Sequence, residues 1–175
     1  MRPPVTSDPL TILLGHNHWA THRVLDLCRS LSPAQFQQRF EMGPGSLHDT
    51  LAHIVDCMRA WAGRVDDRPS RQSIVAAGRA LSIDDLSRLL DEADADLRNL
   101  IERYRSDLGA LTHFDYGGTR YSFTRGAAFT HVLVHGTHHR AQCLNMLRRL
   151  NVPGLSDRLP DLDVNDWQYE TECKP

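Results

Sequence analysis

Four stretches of the chain place apolar residues at helical spacing. The first carries Leu10, Leu13, Ala20, Val24 and Leu27 on one face, the 3.6-residue period of a helix that buries one side. Ser7 or Asp8 can cap it, and Pro9 suits its first turn, after a lead-in marked by Pro3 and Pro4. A second stripe runs through Leu47, Leu51, Ile54, Met58 and Trp61, with Ser46 as N-cap and Asp49 placed to complete a capping box. The third is the most regular, through Leu86, Leu90, Ala93, Leu97, Leu100 and Tyr104, and its opposite face carries Arg88, Asp91, Glu92, Asp94, Arg98 and Glu102. Such a charged face is ordinarily solvated. The fourth, from about Thr124 to Leu150, combines Val132, Cys143, Met146 and Leu150.

Four amphipathic helices of this kind satisfy one another by enclosing a common core, so the expected fold is an all-α four-helix bundle. The 1–2 connection ends in Gly43-Pro44-Gly45. The 2–3 connection, Arg64 to about Ala80, is long and polar, with one helical turn expected at Ile74–Ala77. Before the fourth helix, Thr112 to Phe123 alternates around Gly117-Gly118, which predicts a short hairpin or an extended crossover. The 175 residues fit a single domain spanning 1–175, an acidic tail after about residue 152 included. Trp167 and Tyr169 in that tail are expected to staple it to the domain or to a partner subunit.

The fourth helix holds the candidate chemistry. His135 and His139 are four residues apart, so both project from the face that the apolar stripe turns inward. Two neutral imidazoles at this spacing can ligate one metal ion. His131 and His138 fall on a neighbouring row. On the second helix, His53 borders the packing face and can oppose the pair, with His48 as the rival third ligand. Three imidazoles would leave a coordination position open, as a catalytic centre requires, so that bound water or a thiol could be activated. Zinc and nickel suit imidazole best, with iron as a third choice. A ferritin-like two-metal site is not expected, because no inward Glu-x-x-His sets are present. Asn17 is the polar member of the first stripe, and it can serve either a pocket or the backbone. His16, His18 and His22 lie off that stripe and read as flank or surface residues. Arg140 reads as an outward ion-pairing side chain, with an anion or cofactor contact as the alternative.

Composition narrows the partners. Twenty Lys+Arg against 22 Asp+Glu give a net charge of −2, without the concentrated basic patch that a nucleic-acid partner requires. No apolar run has membrane-span length, and the amino end has no signal-peptide core, so neither membrane insertion nor export is expected. Cys28, Cys57, Cys143 and Cys173 lack CxxC spacing, and a reducing cytoplasm is expected.

Three segments resemble elements of the DinB-like, YfiT-related metalloproteins. They are Asn17-His18-Trp19-Ala20, then Leu51-Ala52-His53-Ile54 followed by Trp61, and then His135-Gly136-Thr137-His138-His139-Arg140-Ala141-Gln142. Ala141 stands where that last element usually has glycine. The resemblance covers roughly Leu10 to Leu150 and implies a metal triad of His53, His135 and His139 in a four-helix bundle that is often a homodimer. It further implies a divalent-metal-dependent enzyme, with a thiol S-transferase that joins a low-molecular-weight thiol to an electrophilic small molecule as the first expectation. Asn17 would then orient water or substrate. The alternatives are a metal-dependent hydrolase and a non-catalytic metal- or ligand-binding, stress-associated protein.

Overall fold

Asp8 opens the first helix, α1 (Pro9–Cys28), by accepting a hydrogen bond from the Thr11 amide at 2.9 Å. In the computed structural model, which describes residues 5–69, 71–78 and 80–174, it is followed by α2 (Pro33–Phe36), α3 (Leu47–Val65) and α4 (Ile83–Tyr104). Strands β1 (Leu111–Tyr116) and β2 (Thr119–Thr124), α5 (Arg125–Arg149) and the short α6 (Val164–Gln168) complete the chain. The Pro3-Pro4 lead-in lies outside the described residues. Helices α1, α3, α4 and α5 form the bundle, with α3 packed on both α4 and α5 and α1 closing the other side. Every member of the α4 stripe from Leu86 to Leu100 is buried, as its periodicity predicts.

Local departures from the sequence reading have identifiable causes. The connection after α1 contains the one-turn helix α2, because Ser32 and Gln35 form a reciprocal capping box around Pro33. α4 stops at Tyr104 and tightens into a single 3-10 turn, Arg105–Asp107. Asp94, read as part of the solvated face, is buried and pairs with Arg98 one turn on at 2.9 Å.

The segment before α5 is a hairpin and not a crossover. β1 and β2 pair antiparallel from Leu111↔Thr124 to Tyr116↔Thr119, and Gly117 and Gly118 supply the two positive φ angles, 57° and 77°, of a tight two-residue turn. Thr112 donates to the Arg64 carbonyl at the end of α3 (2.5 Å), and the rings of Phe114 and Phe123 stand edge-on to Trp61 at 5.5 and 5.8 Å. The hairpin is thereby held over the end of α3. The long α3–α4 loop is tied to the same helix. Asp56 accepts from the Ser73 hydroxyl and the Ile74 and Val75 amides at 2.7, 2.7 and 3.2 Å, and Ile74 is buried beneath it.

The tail returns to α1. Trp167 is buried against Gly15, the His16 ring donates to the Leu162 carbonyl at 2.7 Å, and Gln168 donates to the Thr6 carbonyl at 2.9 Å. His16, read as flank or surface, lies on the flank of α1 and is buried there because the tail covers that flank. Of the two tail aromatics only Trp167 acts as a staple; Tyr169 is exposed. With Trp167 packed on its own chain, it offers no free aromatic face to a second copy.

A Cβ at Gly15 would stand 2.4 Å from a Trp167 ring carbon. Alanine is worth about 1 kcal/mol more than glycine inside a helix, yet here it would expel a rigid ring. Gly15→Ala is accordingly expected to free the tail and hasten tryptic cleavage after Arg158 while the bundle's helical signal persists. Unchanged protection of that bond would show that the Trp167 contact does not anchor the tail.

Candidate metal centre

Packing of α3 against α5 brings three imidazoles to one point. His53 comes from the middle of α3, and His135 and His139 come from successive turns of α5. The Nε2 atom of His135 lies 3.1 Å from Nε2 of His53 and 3.1 Å from Nε2 of His139. One ligand atom from each residue falls within 4.8 Å of the others, so the group could hold a metal ion. Two nitrogens on a tetrahedral ion at 2.0–2.1 Å would be about 3.3 Å apart, within a few tenths of an ångström of these separations. His48, the rival third ligand, is elsewhere. Its ring bridges Asp49 (2.9 Å) and the Leu81 amide (3.1 Å), fastening the end of the α3–α4 loop.

The surroundings favour neutral rings with lone pairs aimed inward. Burial pushes the His135 imidazole down to about 3, reinforced by His139 and His53. Burial also lowers His53, partly offset by Asp56, and lowers His139, partly offset by Gln142. His139 Nδ1 is 2.8 Å from Gln142 Oε1, so a proton on Nδ1 donates to that amide and leaves Nε2 as an acceptor. The amide nitrogen of Gln142 in turn lies 3.0 Å from His138 Nε2, which places His138 one step outside the cluster. Gly43 makes room for this amide: a Cβ there would sit 2.2 Å from Gln142 Oε1, and its φ of 50° suits glycine. Gln142 has no place in the expected triad. Its signal was its position three residues after His139, one helical turn away.

Asn17 and Arg140 meet on the far side of Gly136. The Asn17 carboxamide is buried, with its oxygen 2.5 Å from Arg140 Nη1 and its nitrogen 3.6 Å from the Met58 sulfur. Arg140 does not point outward. It is 2 % exposed and donates also to the hydroxyls of Thr21 (3.2 Å) and Thr137 (3.0 Å). The expected outward ion pair fails because α1 packs across this face of α5 and presents a set of neutral oxygens to the guanidinium. Burial draws its pKa down to about 10, so it remains a cation at neutral pH.

Beside His53 and His135 opens a cavity of about 500 Å³, walled by α3, the α3–α4 loop and the hairpin. Arg59, Arg64 and Arg71 give its wall a positive character, and Trp61, Tyr116 and His131 give it aromatic surface. The Arg64 guanidinium stacks between the rings of Trp61 and Phe114, at 4.8 and 4.3 Å. Two lining residues with familiar catalytic chemistry are committed otherwise. Asp56 is occupied by the three donors of the Ser73–Val75 turn. Burial pushes the Cys57 thiol up to about 12, far from a thiolate at neutral pH.

Cys28, Cys57 and Cys143 are buried free thiols, and Cys173 is exposed. Among the described residues no helix is long and apolar enough to cross a membrane. No curated protein sequence matches the chain significantly. The family model described as the DinB family matches residues 6–163. That span contains all four bundle helices, the hairpin and the three converging histidines, and the chain belongs to the DinB family.

Proposed function

We propose that this protein is a divalent-metal-dependent enzyme in which His53, His135 and His139 hold one ion, and that it transfers a low-molecular-weight thiol to an electrophilic small molecule. The observation that carries the reading is three converging Nε2 atoms, two of whose rings, those of His53 and His135, line a cavity. Three protein ligands leave room for a further one, and the cavity provides its route. Zinc or nickel suits this all-imidazole set best, with iron as a third choice. The chemistry the ion supplies when bound is Lewis acidity, which favours the thiolate form of a coordinated thiol.

The protein's own residues divide the remaining tasks. Arg59, Arg64 and Arg71 suit an anionic cosubstrate, such as a thiol bearing carboxylates, and Trp61 with Tyr116 offers an apolar seat for the electrophile. The imidazole of His131, its ring 4.8 Å from that of Trp61, lines the cavity within reach of a bound group; desolvation and the nearby Arg64 draw its pKa down. Covalent catalysis by Cys57 and general-base catalysis by Asp56 are disfavoured by their surroundings. The thiol itself rests on the motif resemblance to the YfiT-related branch of the family.

The test is a thiol titration of the cobalt-substituted protein, followed by turnover assays with thiols and electrophiles of varied charge. A thiol-dependent change in the cobalt spectrum, with conjugation abolished by chelation, is the expected result. Chelator-sensitive ester or amide cleavage with no thiol response would favour a hydrolase instead. Metal and thiol binding without any turnover would reduce the protein to a binding module.

A further inference from the structure

A second group of ligating side chains lies on a different face of α1 from Asn17, outside the site just described. His18 and His22 occupy successive turns of α1, and Asp91 reaches them from α4. Asp91 Oδ1 is 2.8 Å from His18 Nε2 and 2.7 Å from His22 Nε2, and the two Nε2 atoms are 3.1 Å apart. With the Asp91 carboxylate ionised, protons alone cannot satisfy these three contacts. If both Nε2 atoms donate to the carboxylate, they face each other as donor and donor at 3.1 Å. If one of them is an acceptor, its lone pair opposes the carboxylate oxygen instead. A cation satisfies all three contacts at once.

We infer that His18, His22 and Asp91 form a second divalent-metal site, a two-histidine, one-carboxylate face for a first-row transition ion with open coordination positions. The triangle of 2.7, 2.8 and 3.1 Å sets the geometry. An ion 2.0–2.1 Å from each apex stands about 1.2 Å above the plane, with ligand angles of about 80° to 100°. Those angles describe one face of an octahedron and not the wider angles of a closed tetrahedral zinc site, so nickel(II), cobalt(II) or iron(II) fits better than structural zinc. The side chains of His18, His22 and Asp91 are 33 %, 28 % and 56 % exposed, which leaves the opposite face of the ion to water or a small ligand. On that side α1 and the returning tail border a hollow of about 630 Å³ lined in part by Trp19, Arg98 and Trp167. The i,i+4 spacing of His18 and His22 repeats that of His135 and His139, and helical geometry holds both pairs at the same reach. The inference does not depend on the histidine cluster between α3 and α5.

Cobalt(II) and nickel(II), added as simple salts to the metal-free full-length protein, provide the test. Wild type is expected to take up two equivalents by calorimetry, and His18→Ala/His22→Ala only one. The equivalent lost should be the one with weak, six-coordinate cobalt absorption. His53→Ala/His135→Ala should keep that equivalent and lose the intense, four-coordinate spectrum. Asp91→Asn, which preserves shape but removes charge, should weaken the second site at least about tenfold, equivalent to about 1.4 kcal/mol. The inference is overturned if His18→Ala/His22→Ala binds as much metal as wild type. It is also overturned if folded His53→Ala/His135→Ala takes up no ion at about 1 mM, a concentration that would detect even a weak site. Should His53→Ala/His135→Ala fail to fold, the comparison of wild type with His18→Ala/His22→Ala decides alone. One equivalent in wild type that disappears in His18→Ala/His22→Ala would sustain this site while removing the other.

Discussion

His135→Ala and His139→Ala are each expected to abolish metal uptake by the cluster between α3 and α5 while the helical circular dichroism stays near native. His135 is the common neighbour, 3.1 Å from both other rings, so its loss leaves His53 and His139 without the ligand between them. Changing a group that merely orients a ligand typically costs 10–100-fold in affinity, so removing a ligand should cost more than about 100-fold. Gln142→Leu belongs in that lower range, because it frees the His139 tautomer without deleting a donor. The fold should tolerate His135→Ala: the ring's Nδ1 is buried without a hydrogen-bond partner, so its removal also relieves an unsatisfied polar atom. His53→Ala should behave like the α5 variants, whereas His138→Ala and His48→Ala should keep the metal. Metal content after dialysis, read beside circular dichroism, is the measurement. Full occupancy in both His135→Ala and His139→Ala would return these residues to an ordinary interior role.

Loss of the Arg140 cage should produce the largest stability change. Arg140→Ala removes a buried side chain, opens a cavity and leaves the Asn17 oxygen without its donor. Cavity formation and an orphaned acceptor each cost on the order of 1–3 kcal/mol or more, while removing a desolvated cation returns part of that. The net expectation is about 3 kcal/mol, a midpoint lower by roughly 6–12 °C for a chain of this size. Arg140→Met should be milder, since it refills the volume. Gly136→Ala tests the same cage from the other side. Its Cβ would stand 2.1 Å from Asn17 Oδ1 and 2.8 Å from Arg140 Nη1, so it should destabilise despite alanine's better helix propensity. Thermal unfolding of the three metal-free variants measures all of this. A midpoint for Arg140→Ala equal to wild type would mean that the guanidinium is expendable to the bundle.

The α4 stripe and the His135–His139 pair show what one chain segment can reveal about itself. A helix converts spacing into direction, so period alone indicates which side chains share a face. Side-chain chemistry next to the first turn also offered Ser46 and one of Ser7 or Asp8 as caps; Ser46 and Asp8 each accept from a backbone amide in the first turn of their helix. Gly117-Gly118 likewise limited the choices before α5 to two, because few residues adopt consecutive positive φ angles. Where the rule gave a face but not its neighbour, it misled. Arg140 was read as outward, with an anion or cofactor contact as the alternative, and His16 as flank or surface, since nothing local announces that α1 will cover one or that the tail will cover the other.

By itself, then, the sequence determined four amphipathic helices, the cap at Ser46, and an inward histidine pair at one-turn spacing. These are short-range consequences of backbone geometry and side-chain polarity. His53 as the third member was already implied by the motif resemblance, and packing of α3 on α5 brings it to that pair; only the tertiary structure decided that Arg140 enters a cage of neutral oxygens and that Asp91 meets His18 and His22. Each of those meetings joins residues about 70 or more positions apart, and it depends on how far one helix is rotated and shifted against another. That rotation and shift come from the packing of all the facing side chains together, and no single stretch of the chain encodes them.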